Sequence, residues 1–324
     1  MKISYLILAH KNPTQFHRLV EKLNAANVYF FVHVDKSADD APFKSPFLNA
    51  KNIFFLEDSK RMITPWSDIT ISEVTLTLLR ETRKKFSSNN YCVLLSGQDY
   101  PIKSNDYIFN FFKSNYGLNF ISISEITDIW PEWKDRFERY NFHLPNKRLN
   151  RGIYPISDKR FFNFRNYKHA YYLLKNVGFG TTLYTSFKKK RQHPNYLIPK
   201  GGGTWWALPV ETVVELLNYL KEHPDFLAYH QFTHVPDETL FASIVNELKD
   251  NNEIKDTTTY TNWVKEDVEL PVTFQKDDLP ELLQAGDNYL FARKFDVSID
   301  IEILNKLDKY ISISKRNYIS QNGL

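Results

Sequence analysis

The chain has 324 residues, 42% apolar and 25% charged, with a formal net charge of +4. That supplies a large core and excludes disordered, collagen-like and Gly-rich linker architectures. A single cysteine, Cys92, excludes an internal disulfide and any Cys-based zinc site, and fits a reducing compartment.

Ile3 to Ala9 is a short apolar run that predicts a buried first strand. It follows Lys2 as a signal peptide would, but it meets His10 and Lys11 at once and lacks a small-residue cleavage site. Asn12-Pro13 opens a helix carrying Phe16, Leu19, Leu23 and Ala26, and Val28 to Val34 is a second strand ending at Asp35. Ile53 to Leu56 is a third strand, Ile69 to Phe86 a long amphipathic helix, and Tyr91 to Leu95 a fourth strand running into Ser96-Gly97. Apolar strands alternating with helices predict an α/β fold with a largely parallel sheet covered on both faces. Ligands gather at the carboxyl ends of such strands, where His10, Asp35 and the Ser96 to Asp99 turn fall.

From Lys134 to Lys200 sixteen Lys and Arg face three acids, so this stretch has a net charge of +13 and the remainder −9. It includes Lys188-Lys-Lys-Arg191 and many aromatics, shows no clean period, and reads as an excursion from the sheet at about 130–200. Such a stretch suits a membrane surface, a nucleic acid or an anionic ligand, or is simply a solvated insertion. Regularity resumes at Gly201 to Leu208, then helix Pro209 to Lys221, a helix opened by Pro236-Asp-Glu238, a strand-like Tyr289 to Phe291 and a last helix near Asp300. One domain over 1–324 with an elaborated middle is the economical organisation, and no apolar run approaches the roughly 18 residues that cross a bilayer.

No phosphate-cradling glycine motif, H-E-x-x-H, G-x-S-x-G or strand-end Asp-x-Asp is present. A bound diphosphate would therefore need other cations, and Arg293-Lys294 between Phe291 and Phe295 can supply them, although two basic residues alone are more often a surface pair. Glu238 beside Asp237 could be a general base whose pKa that like charge adjusts, or simply serve a helix N-terminus. Trp205 and Trp206 after three glycines could stack on a sugar, although alternation turns one of them into the core.

His33-Val-Asp-Lys36, Leu94-Leu-Ser-Gly-Gln-Asp-Tyr-Pro-Ile-Lys103, Gly203-Thr-Trp-Trp206, Pro236-Asp-Glu238 and Phe291-Ala-Arg-Lys-Phe-Asp296 occur in this order. Together they resemble the core-2/I-branching β-1,6-N-acetylglucosaminyltransferase family, which includes the peptide O-xylosyltransferases, over roughly residues 3–310. The resemblance implies a GT-A type glycosyltransferase fold and an inverting transfer from a UDP-sugar, GlcNAc or xylose, to a glycan hydroxyl without a divalent metal. It puts donor contacts at Leu8, Ala9, His10, Asp35, Lys36, Thr70, Ile71, Gly203 and Thr204. Arg293 and Lys294 would hold the diphosphate and Glu238 would be the catalytic base. Arg136, in Glu132 to Arg139, would contact the acceptor, with Trp205 and Trp206 beside it.

Animal relatives carry an N-terminal membrane helix and disulfides, which this sequence does not show, so it looks like a bacterial cytoplasmic version. The second arginine that branching enzymes place upstream of the basic pair has no clear equivalent, which moves weight onto Arg293. The expected partners are a UDP-sugar and a glycan or lipid-linked saccharide acceptor in surface polysaccharide assembly. Lys188 to Arg191 would give peripheral contact with anionic lipid at the inner face of the cytoplasmic membrane. A nucleic-acid binder using the basic stretch and a non-catalytic glycan-binding module are the rival classes.

Overall fold

The structure, a computed structural model, describes residues 1–143, 150–178 and 180–322. β1 (Lys2–Ala9) leads into α1 (Pro13–Leu23), whose first turn accommodates Pro13 because no amide donor is needed there. That helix stops at Leu23 and leaves Ala26 outside. β2 (Val28–Val34), β3 (Ile53–Phe55), α2 (Thr70–Lys85) and β4 (Asn90–Ser96) follow as the periodicity predicts.

Three short elements come next: β5 (Asp99–Pro101), α3 (Asn105–Ser114) and β6 (Asn119–Phe120). Ser104 caps α3 by accepting from the Tyr107 amide. In the basic segment lie an antiparallel strand pair, Tyr140–His143 with Asn150–Ile153, and the helices α4 (Phe164–Val177) and α5 (Thr181–Lys188). The segment therefore does have a period. Asn166, Ala170 and Leu173 lie four and three residues apart on the inner side of α4, and Phe142, Ile153, Leu173 and Leu183 form a small separate core. Frequent charge and tyrosine on the outer face hide that stripe in the sequence.

The chain returns through β7 (Ala207–Pro209), α6 (Val210–Glu222), α7 (Leu240–Leu248), β8 (Ile254–Lys255), β9 (Thr259–Thr261), β10 (Phe291–Arg293) and α8 (Glu302–Asn322). Pro236–Glu238 is a single 3₁₀ turn ahead of α7 rather than its first turn. The last strand sits two residues later than Tyr289 to Phe291, and the Asp300 carboxylate accepts from the Glu302 amide to start α8.

The main sheet has the order β8-β6-β7-β4-β1-β2-β3. β4, β1, β2 and β3 are parallel, and β7 runs antiparallel between β4 and β6. Along β1, Ile3, Tyr5 and Ile7 face a core shared with Phe16 and Leu19, while Leu6 faces one shared with Val74 and Leu78. Both faces of the sheet are covered, which explains the continuous apolar runs and bears out the α/β expectation. Parallel register carries Ala9, Val34 and Ser96 to the same edge. A second sheet, β9-β10-β5, starts just beyond β4 and sets Arg293 opposite Asp99.

Candidate active site

At the carboxyl edge, buried Gln15 fastens three separate segments. Its amide donates to Gly97 O and Phe295 O, both at 3.0 Å, and its Oε1 accepts from the Val297 amide at 2.9 Å. Asp296 accepts from Lys11 and Asn12 at 2.7 Å each, and Lys11 and Ser298 hold its carboxyl at about 2 against the effect of burial. The loop after β1 and the segment carrying Arg293-Lys294 are thus one rigid unit.

The Asp35 carboxylate accepts from the amides and hydroxyls of Ser37 and Thr64, which keep it below the usual carboxylate range despite burial. Its role in the structure is to fold the loop after β2. Arg61 completes that loop by donating to the carbonyls of Val34, Asp35 and Ala38. Lys36 is exposed, with its ammonium 3.8 Å from Asp58. The Leu8 and Ala9 carbonyls accept from the Gly97 and Asp35 amides, and His10 lies exposed beyond them. Thr70 and Ile71 begin α2, where the Thr70 hydroxyl is buried without a partner.

Arg293 donates from Nε to Asp99 Oδ1 at 3.1 Å, and its guanidinium carbon lies 4.2 Å from the centre of the Trp205 ring. Asp99 is fully buried and also accepts from the Ser96 amide and hydroxyl. Burial pushes the Asp99 carboxyl up and the Arg293 guanidinium down, and their mutual attraction opposes both. Lys294 follows half-buried, its backbone paired with Val272 and Phe274.

Across the site, Glu238 Oε2 accepts from Arg136 at 3.0 Å, and Arg136 lies 3.8 Å from the centre of the Trp130 ring. Neither the 3₁₀ turn nor α7 uses a carboxylate cap, so Glu238 is not explained by capping. Its pKa is pushed up to about 7, first by burial and then by the adjacent Asp237, with Arg136 pulling the other way. Asp237 Oδ2 accepts from the Thr204 hydroxyl at 2.7 Å, while its Oδ1 is buried without a partner. Burial pushes the Asp237 carboxyl up, and Thr204, Arg136 and Arg293 pull it back.

The backbone around these groups is unusual. Val235 has φ +53°, rare for a β-branched residue, and its amide donates to the carbonyl of Ser67, itself at φ +69°. Gly202 donates to the Glu238 carbonyl at 2.8 Å, and a Cβ there would lie 1.8 Å from Ser122 O. Gly203 faces open space, with nothing within 4 Å of such a Cβ.

Thr204, Trp205, Glu238, Arg293 and Arg136 are thus linked through Asp237 and Asp99, while Asp35 is buried and bonded within its own loop, Lys36 is exposed beside Asp58, and Thr70 and Ile71 lie at the start of α2. Trp206 needs correction as an acceptor contact. It is 1% exposed and packs against Phe241 at 5.3 Å, so no sugar can reach its face. Sequence reasoning missed Gln15 and Arg61 and reached Asp99 only as part of the strand-end turn and Asp296 only as the end of a motif, although a Gln between Pro13 and Phe16 on an apolar helix face is a usable signal. Among the described residues, no three His, Cys, Asp or Glu side chains are grouped to hold a metal ion, and no helix is long and apolar enough to cross a membrane.

Residues 3–285 match the family model described as Core-2/I-Branching enzyme. Human xylosyltransferase 2 is 22% identical over 96% of this chain and 34% of its own length. Xylosyltransferase oxt of Drosophila pseudoobscura pseudoobscura is 22% identical over 96% of this chain and 33% of its own length. The human β-1,3-galactosyl-O-glycosyl-glycoprotein β-1,6-N-acetylglucosaminyltransferase is 22% identical over 95% of this chain and 69% of its own length. The chain thus spans about a third of the length of the xylosyltransferases that it matches. Because the family match covers most of its length, the chain belongs to the Core-2/I-Branching enzyme family.

Proposed function

We propose that the chain is an inverting glycosyltransferase that moves a sugar from a UDP-sugar to an acceptor hydroxyl, with Glu238 as base. The observation that carries this reading is the acid pair of buried Asp237 and half-buried Glu238, with Arg136 paired to Glu238 and Asp237 within the field of Arg293, which Asp99 and Trp205 hold. In this reading the acceptor hydroxyl loses its proton to the Glu238 carboxylate as its oxygen bonds to the anomeric carbon. The bond from that carbon to the phosphate oxygen breaks on the opposite face, and the electron pair leaves with UDP. Arg293 and Lys294 stabilise the negative charge that develops there, a role that needs fixed cations close to the leaving oxygens.

A base with a pKa near 7 is half ionised at neutral pH and still basic enough to accept a proton, which suits Glu238 better than an ordinary carboxylate. Trp205 packs behind Arg293, so its support for the acceptor is indirect. GlcNAc is the proposed donor sugar, by likeness to the transferase named for it, and xylose is the second reading that the xylosyltransferase relatives favour. The lone buried Cys92 supports a reducing compartment.

The test is thermal unfolding in EDTA with UDP, GDP, CMP and UDP-sugars. A ligand that binds only the folded state raises stability by about 2.7 kcal/mol at a hundredfold excess over Kd. A shift with uridine nucleotides alone that disappears in Arg293→Ala/Lys294→Ala supports the donor assignment. No shift with uridine nucleotides, or an undiminished shift in that variant, overturns it.

A further inference from the structure

A cavity of about 670 Å³ opens in the basic segment, away from Arg293 and Lys294. Lys188, Lys189, Lys190 and Arg191 form its wall, with Tyr140 and Tyr229 among the aromatic side chains beside them. Its volume falls in the range of small-molecule sites, roughly 300–1,000 Å³.

The cations in that wall are only partly neutralised. Lys190 pairs with Glu138 at 2.7 Å. Arg191 is buried, donates to the carbonyls of Arg139 and Tyr229 and to the Thr233 hydroxyl, and lies 4.0 Å from the centre of the Tyr229 ring. Those bonds fix its charge in place without supplying a counter-charge. Lys188 lies over the Tyr184 ring at 4.3 Å, and Lys189 is exposed. Among the described residues, neither Lys188 nor Lys189 has a carboxylate partner. Two ammonium groups without a carboxylate partner among the described residues, beside a fixed guanidinium, suit a group of charge near −2, and Ser157 and Gln192 in the lining add neutral polar groups.

The cavity also shares its framework with the acid side of the active site. One strip runs from Arg136, which pairs with Glu238, to Tyr140 in the cavity lining. The other runs from Tyr229 in the lining to Glu238 itself. The two are laced together by Tyr229 Oη donating to Phe137 O at 2.6 Å, Asn141 N to Phe232 O at 3.0 Å and His234 N to Arg136 O at 3.4 Å. The cavity lining is thereby tied to the segments that carry Arg136 and Glu238, and neither Arg293 nor Lys294 lines it.

We propose that this basic, aromatic-floored cavity binds a phosphate group carried by the acceptor saccharide. The proposal rests on the transferase reading and names the class of its second substrate. The probe is glucose 6-phosphate, with glucose as control, titrated calorimetrically into the full chain at low salt without nucleotide, and UDP is titrated separately. Lys188→Ala/Lys189→Ala removes two exposed side chains and should leave the fold intact. The expected result is binding of the phosphorylated sugar but not glucose, weakened at least tenfold in Lys188→Ala/Lys189→Ala and unchanged in Arg293→Ala/Lys294→Ala.

Equal binding to wild type and Lys188→Ala/Lys189→Ala overturns the proposal, as does loss confined to Arg293→Ala/Lys294→Ala, which would place the phosphate in the donor site. A parallel sedimentation uses phosphatidylcholine vesicles with and without phosphatidylglycerol. Lysine-dependent binding to the anionic vesicles with no glucose 6-phosphate binding overturns it in favour of a membrane surface. If UDP fails to bind while the lysine-dependent sugar phosphate binding persists, the cavity assignment stands and the transferase reading falls.

Discussion

Arg293 and Asp99 are 194 residues apart, yet the Arg293 Nε donates to the buried Asp99 Oδ1 at 3.1 Å. Antiparallel pairing of β5 with β10 brings them into register, and Trp205 covers the guanidinium from the other side. Asp99 is therefore a positioning residue for Arg293. Asp99→Asn keeps the shape but leaves a buried guanidinium without its counter-charge, which costs about 3 kcal/mol of stability. We expect UDP affinity to fall about tenfold, 1.4 kcal/mol in binding, and the sugar-donor KM to rise more than kcat falls. Unchanged UDP affinity in a folded Asp99→Asn protein would contradict this role.

Glu238 gives two linked pH predictions. As base it must be ionised, so kcat/KM should rise with pH through a midpoint near 7. Asp237→Asn removes a neighbouring negative charge and should lower that midpoint, whereas Arg136→Gln removes a positive one and should raise it. A midpoint that ignores both changes would take the rate profile away from Glu238.

The same shift acts on stability. The folded state holds a proton on Glu238 up to about pH 7, above the ordinary carboxyl range, so its contribution is fully present at low pH and is lost as pH rises through that window. Glu238→Gln removes this titration. The variant should gain stability relative to wild type between pH 5 and 8, by about 1–3 kcal/mol, while turnover falls about 10²-fold or more. Denaturant melts at the two pH values check the first part, and parallel melts would contradict it.

Gly202 and Gly203 separate fold from function. A Cβ on Gly202 meets the Ser122 carbonyl at 1.8 Å, whereas one on Gly203 meets nothing within 4 Å. Gly202→Ala should lose several kcal/mol, about 3 or more, by forcing backbone apart. Gly203→Ala should melt like wild type and weaken donor-sugar binding by crowding the open space beside Thr204. Equal melting temperatures for both variants would refute the contrast.

Ser67 holds φ +69° and buries a hydroxyl that has no partner. Ser67→Gly relieves both costs while keeping the backbone carbonyl that accepts from Val235. The expected gain is about 1–2 kcal/mol, read as a higher denaturation midpoint. A lower midpoint would show that the hydroxyl is satisfied after all.

Much of the sheet was legible because β1, β2 and β4 are buried on both faces and read as unbroken apolar runs. The long helix α2 was legible from its period. β5, β6 and β10 are two or three residues long, too short for any period, and α3 follows so closely on β5 that its Ser104 cap is easily read as loop. The site divided along the same line. Glu238, Thr204, Arg293 and Arg136 lie in or beside distinctive local strings, and the structure brings them together. Asp99 and Gln15 act across distances in sequence that no local pattern carries, and Asp35 proved to be saturated by Ser37 and Thr64. Tandem tryptophans could not be told apart until β7 fixed which one faces inward.

The most direct single measurement is UDP release from UDP-GlcNAc and UDP-xylose in EDTA across a panel of saccharide acceptors, with UDP binding measured on the same preparations. The expected result is acceptor-dependent release by the wild type, at least a hundredfold slower in Glu238→Gln, with UDP binding unchanged in that variant. Release that is as fast in Glu238→Gln as in the wild type would contradict the assignment of Glu238 as the base.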